Sequence, residues 1–215
     1  MKRKWKLWMI AFVVFVMTDI MMQSNRAEAK KRTFTVSSKT IPCSSSYRQK
    51  PYYNKKTKQY YMINSYMRRL STTGGTLKLK KGTYKIPGTI YVPSNVKIVC
   101  ANGVKIKKTK ATGTKKVKST KFLFQMISEE KASGKQNTGK YAASKNASIQ
   151  GNGKVIFDMG NVNGATAVFV GHASGITVSG VRFRNKKGGS YIWIEGSKNI
   201  SVRQCVFERK KMCPV

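Results

Sequence analysis

The sequence predicts a parallel β solenoid closed at one end by a single helix. Three observations carry that reading. First, the chain repeats itself: Gly175-Ile176-Thr177-Val178-Ser179-Gly180-Val181-Arg182-Phe183 returns 24 residues later as Asn199-Ile200-Ser201-Val202-Arg203-Gln204-Cys205-Val206-Phe207. Ile176 falls over Ile200, Val178 over Val202, Val181 over Cys205 and Phe183 over Phe207. A fixed period of this size, made of short alternating strands, is the mark of stacked coils. Second, from Thr76 onward apolar residues alternate with polar ones, as in Leu77 and Leu79 against Lys78 and Lys80, which is the strand period. Third, an amphipathic helical stretch stands immediately before the first strand.

Taken in order, the elements are these. Lys2, Arg3, Lys4 and Lys6 precede an apolar run from Leu7 to Met17, and Ala27-Glu28-Ala29 offers small residues for cleavage. Residues 1–29 therefore read as a signal peptide, which places the remainder outside the cell or in its envelope. The run is too short to span a bilayer, and no later stretch is apolar enough to do so. Residues 30–53 are a polar leader strand or linker. Residues 54–72 are the capping helix: Tyr60, Ile63, Met67 and Leu70 form one apolar stripe, Asn54 is its expected N-cap, and Gly74-Gly75 stops it. Such a cap is needed because an uncovered coil exposes unpaired backbone and core side chains.

Residues 73–215 are the solenoid. Tyr84/Ile86, Ile90/Val92, Val96/Ile98 and Val104/Ile106 are strand pairs separated by Gly82, Pro87-Gly88, Pro93-Ser94-Asn95 and Asn102-Gly103. Two polar insertions, 107–121 and 128–145, are expected to project from the coils as loops. Phe122 to Ile127 lies between them as a strand. The 24-residue period gives four to five coils in all.

Charge is the chain's other conspicuous property. It holds 43 basic and 7 acidic residues, a net of +36. Without residues 1–29, 38 basic residues remain against 5 acidic ones. Such a surface draws polyanions. Four cysteines (Cys43, Cys100, Cys205 and Cys213) are too few for a disulfide framework, and Cys205 takes the inward slot that Val181 fills one coil earlier. With one histidine, His172, and no Cys-x-x-Cys pair, no zinc site is expected. No cofactor is implied, and a nucleic acid would be held only non-specifically.

The run Gly74-Gly75-Thr76-Leu77-Lys78-Leu79-Lys80-Lys81-Gly82-Thr83-Tyr84, followed by Thr89-Ile90-Tyr91-Val92-Pro93-Ser94-Asn95-Val96, resembles the opening coils of the pectate-lyase superfamily of right-handed parallel β-helices. The resemblance covers roughly residues 54–215 and implies an all-β, right-handed parallel β-helix with an N-terminal capping α-helix. It does not extend to catalysis. The Asn-Thr-Asp, paired Asp, Gly-His-Gly and Arg-Ile-Lys motifs of polygalacturonases are absent, and Gly171-His172-Ala173 is the nearest approach. The aspartate cluster by which pectate lyases hold calcium is absent as well, since Asp158 is the single aspartate after residue 29. Members of the superfamily carry further coils, so this chain reads as truncated at its C-terminal end. Its open terminal coil is then an expected point of association.

Two groups of residues are binding candidates. Phe169 and Trp193 fall one over the other facing outward, with Tyr191 alongside, as a platform for sugar rings. Lys105, Lys107, Lys108 and Lys110 begin a basic run that could grip a polyanion. No catalytic residue and no metal ligand is assigned. The expected role is non-catalytic binding of acidic polysaccharide or an anionic wall polymer by a secreted, cationic β-helix. The alternatives are the N-terminal part of a pectin-degrading hydrolase or lyase, and a structural or adhesive surface protein. Val178→Asp and Val202→Asp are both expected to prevent folding, and Lys108→Glu to leave it intact.

Overall fold

The computed structural model describes residues 31–134 and 139–208. The expected signal peptide lies outside these residues, as does Cys213. Three parallel sheets form the body. Sheet A has the order β1 (Arg32–Val36), β2 (Gly75–Leu79), β5 (Val96–Cys100), β8 (Ser148–Gly151), β11 (Ser174–Ser179) and β14 (Lys198–Arg203). Sheet B runs β3 (Gly82–Ile86), β6 (Val104–Lys108), β9 (Ile156–Asp158), β12 (Arg182–Arg184), β15 (Val206–Phe207). Sheet C runs β4 (Ile90–Tyr91), β7 (Phe122–Gln125), β10 (Thr166–Gly171), β13 (Ile192–Glu195). After β1, the chain visits A, B and C in turn, four times over, and then A and B once more. Each sheet gains one strand per circuit, and each new strand pairs in parallel with the strand of the circuit before. The fold is a right-handed parallel β-helix, the hand that parallel crossovers adopt.

The interior is built by register. Leu77, Ile98, Ile149, Val178 and Val202 form one column of sheet A. Tyr84, Ile106, Phe157, Phe183 and Phe207 form one column of sheet B. Ile90, Phe124, Val168 and Ile192 form one of sheet C. The pairs read from the repeat, Ile176 with Ile200 and Val178 with Val202, are partners on adjacent strands. Phe183 also stacks on Phe207, with ring centroids 5.3 Å apart. Alternation puts one face of each strand into this column and the other outside.

The corner before sheet A needs left-handed backbone, and the chain supplies Gly or Asn there. Gly74 (φ 66°), Asn95 (60°), Asn146 (52°), Gly175 (65°) and Asn199 (56°) all take positive φ. These residue types enter that region at least cost. Asn146 and Asn199, each the first residue of a formal glycosylation triplet, thus hold left-handed backbone at the entry to sheet A.

Three short helices decorate the coils: α1 (Ser45–Arg48), α2 (Lys58–Leu70) and α3 (Glu129–Ser133). The long one, α2, buries Met62, Ile63, Met67 and Leu70 against the first coil, while Tyr60 is half-buried. Its N-cap is Thr57, not Asn54. Asn54 belongs to the turn before it, where its side chain accepts from the Lys56 N–H at 2.8 Å.

The helix closes the coil with hydrogen bonds as well as apolar area. Buried Asn64 donates to the Thr89 carbonyl (3.0 Å) and accepts from the Tyr91 N–H (3.1 Å) at the edge of β4. Gln59 accepts from the Lys85 N–H at 2.6 Å and donates to the Thr83 carbonyl at 3.3 Å, at the edge of β3. The edge of β2 is covered by β1, which comes from the segment expected to be a leader strand or linker. Each first-coil edge thus meets a partner, as a solenoid terminus requires.

The last described coil differs. Ile194, Val202 and Phe207 are 46%, 39% and 49% exposed, whereas Val170, Val178 and Phe183, their partners one coil earlier, are 0% exposed.

Candidate functional site: a lysine-lined groove along one corner

Sheets B and C meet at a corner formed by four successive connections, near residues 87–89, 109–121, 159–165 and 185–191. Three depressions of about 890, 370 and 240 Å³ lie along this corner, and Asn161 lines all three. Lysines reach them from unrelated parts of the chain. Lys56 comes from the turn before α2, Lys85 from β3, Lys107 from β6, Lys110 from the second connection and Lys187 from the fourth. Lys115, Lys118 and Lys121 extend the lining. Lys85 and Lys107 stand directly opposite one another on adjacent strands. None of these lysines forms an ion pair among the described residues.

Four of the five described carboxylates already have partners. Asp158, at the edge of the groove, lies 3.2 Å from the Lys105 ammonium and 3.7 Å from the Arg184 guanidinium. It also accepts from the Asn185 amide (3.0 Å) and the Gly160 N–H (3.3 Å). Burial works to raise its carboxyl, but these donors outweigh burial and hold it below the usual carboxylate range. Glu208 takes Arg182 at 2.7 Å, Glu130 takes Arg68 at 2.7 Å, and Glu129 accepts from the Tyr47 hydroxyl. Among the described residues, no three of the His, Cys, Asp and Glu side chains converge as a metal site. Cys43, Cys100 and Cys205 are free thiols. Burial pushes the Cys100 thiol up to about 12.

The expected candidates divide. Lys107 and Lys110 line the groove. Lys105 is engaged with Asp158. Lys108 is not on the surface at all, which corrects its place in the binding run and in a projecting loop. Strand β6 runs through Lys108, and parity turns position 108 inward with Val104 and Ile106. Its side chain is 0% exposed, and its Nζ reaches the carbonyls of Pro87 (3.0 Å), Gly88 (2.8 Å) and Phe122 (2.8 Å) and the Thr120 hydroxyl (3.0 Å). Burial lowers its pKa to about 7. The connection 109–121 starts only after it, and that connection is folded down rather than loose. Buried Thr112 donates to the Val117 carbonyl at 2.6 Å, and Asn54 donates to the Thr112 carbonyl at 2.9 Å.

Of the aromatic platform, Trp193 is 47% exposed and pairs in register with Phe169. Phe169 stacks on Phe122 (4.8 Å, 16°) and meets Trp193 edge to face at 5.2 Å. Phe122 directly follows Lys121 of the groove in the chain, but none of the three rings lines the depressions. Tyr191 does not belong to it. The ring is buried against Phe183 and Phe207, and its hydroxyl donates to the Glu208 carbonyl at 2.6 Å. It lies one residue before β13, in the corner, where strand parity no longer decides direction.

Sequence reasoning missed Lys56, Lys85, Lys187 and Asn161. Only Lys85 carried a signal, since it precedes Lys107 by 22 residues at the same outward parity, near the repeat length.

No family model and no curated protein matches the chain. The resemblance to the pectate-lyase superfamily therefore rests on the residues of the opening coils alone. Among solved structures, the chain is similar to PfbA, a surface adhesin of Streptococcus pneumoniae, at 15% identity and a TM-score of 0.52. The match covers 84% of this chain and 40% of that one. At this identity the likeness concerns the fold, and it agrees with the stacked parallel coils described above.

Proposed function

We propose that this protein is an extracellular, adhesive β-helix that holds an anionic polymer, acidic polysaccharide or anionic wall polymer, in the groove at the B–C corner. The observation that carries the reading is the gathering of Lys56, Lys85, Lys107, Lys110 and Lys187, from four separate stretches of chain, on depressions that share Asn161 and whose one carboxylate is already neutralised. Like charges brought together without a partner cost free energy, and a bound polyanion removes that cost. The net charge of +36 adds long-range attraction. The exposed Trp193 face suits the apolar face of a sugar ring. That a protein of similar fold is a surface adhesin supports the adhesive, extracellular side of the reading. No helix among the described residues is long and apolar enough to cross a membrane.

The test is retention on immobilised polygalacturonate and on anionic wall polymer, at low and raised salt. Wild-type protein is expected to be held and to be released by salt, because ionic contacts are screened. Lys107→Glu with Lys110→Glu is expected to abolish retention without loss of folding. Retention unchanged in that variant would overturn the reading.

A further inference from the structure

Resting on that reading, we propose that the groove takes phosphate groups in preference to carboxylates, with its seat beside Asn161 where Lys56, Lys85, Lys107 and Lys110 converge. The ligand chemistry is a polyvalent phosphate, borne either on a sugar or in a phosphate chain.

The donor set carries the inference. Every charged donor in this part of the groove is a lysine ammonium. A carboxylate is planar and is best held by the planar fork of a guanidinium, while lysine acts as a point charge and is a common phosphate ligand. The arginines of β12, two strands from β6 in sheet B, are not free to serve: Arg182 holds Glu208 and Arg184 holds Asp158. Placement points the same way. Lys85 and Lys107 stand opposite each other on strands roughly 4.8 Å apart, and like charges directly opposed are unfavourable. Lys56 and Lys110 approach the same depression from other segments. Donors on several sides suit a group with three acceptor oxygens and a charge of about −1.5 to −2 better than one with two coplanar oxygens. A further polar group lines the depression: the Thr109 hydroxyl is buried and has no hydrogen-bond partner among the described residues.

The experiment is titration calorimetry of the folded chain at fixed ionic strength with inorganic tripolyphosphate, trigalacturonate, glucose 6-phosphate and glucuronate. Tripolyphosphate is expected to bind at least tenfold more tightly than trigalacturonate. The double variant Lys107→Ala/Lys110→Ala should weaken it tenfold or more. Lys78→Ala/Lys97→Ala, on the outer face of sheet A, should stay within twofold of wild type and serves as the folded control. Glucose 6-phosphate binding more tightly than glucuronate would assign a sugar-borne phosphate. Equality of those two, with tripolyphosphate still preferred, would assign the chain form. Trigalacturonate binding as tightly as tripolyphosphate through the same lysines overturns the phosphate preference and leaves the polymer-binding reading standing. Tripolyphosphate affinity unchanged in the double variant also overturns the inference. Absence of binding by every anion overturns both readings.

Discussion

The ammonium of Lys108 donates to the carbonyl of Phe122 at 2.8 Å and so closes the base of the connection 109–121, the wall of the lysine groove. The same nitrogen ties in Pro87, Gly88 and Thr120. One inward lysine thus joins the first coil to both ends of the second coil's long connection. Lys108→Glu should therefore fail to fold, since it places a carboxylate among buried carbonyl oxygens. Lys108→Met should fold with a loss of about 3 kcal/mol, because buried acceptors left unpaired cost about 1–3 kcal/mol each and the methionine recovers some packing. Urea denaturation of both variants checks this. A Lys108→Glu protein as stable as wild type would restore the surface-loop expectation.

Burial lowers the Lys108 pKa to about 7 in the folded chain, against 10.5 when unfolded. Between those values the unfolded state binds more protons, so this group makes stability rise as pH rises from 7 toward 10. Above about 10 Tyr60 and Tyr84, whose pKa values burial raises, act in the opposite sense as they ionise first in the unfolded state. Melting temperature measured from pH 7 to 9.5 is expected to climb in wild type and to climb less in Lys108→Met. Parallel curves would contradict the assignment.

Asn64 binds the edge of the first sheet C strand from both sides of its amide. Asn64→Ala should cost about 2 kcal/mol, although it sits on a helix where alanine is favoured. Thermal melts would show it as a drop of several degrees. An unchanged melting temperature would mean that apolar cover alone closes the coil.

Val178 and Val202 share a column but not an environment. Val178 is 0% exposed and Val202 39%. Val178→Asp should abolish folding, since it buries an unpaired charge. Val202→Asp should fold, at a cost of no more than about 2 kcal/mol, contrary to the expectation from the repeat alone. Circular dichroism of the two proteins separates these outcomes.

The parts legible in the sequence were those that repeat. A column such as Ile98, Ile149 and Val178 recurs because each coil must present the same side chain to the same slot, and the corner asparagines recur because each coil makes the same turn. Lys108 was misplaced because its charge outweighed its parity, although Val104, Ile106 and Lys108 share one face of β6. Tyr191 was misplaced for the converse reason, since strand parity was extended past the end of β13. The closure by Gln59 and Asn64 lay hidden because an apolar stripe says nothing about which polar residues beside it meet an open strand edge. The groove was only half visible. Its lysines lie far apart in sequence, and only the winding of the coils brings Lys56, Lys107 and Lys187 to one corner.

The most direct test of the lysine groove is amide chemical-shift mapping during titration with a short anionic oligomer. Perturbations confined to the surroundings of Lys56 and Lys85 and to residues 107–121, 159–163 and 185–189, with saturation at one site, are predicted. Shifts spread evenly over the outer lysines of sheet A, Lys78 and Lys97 among them, would show that net charge alone holds the polymer and would contradict the account.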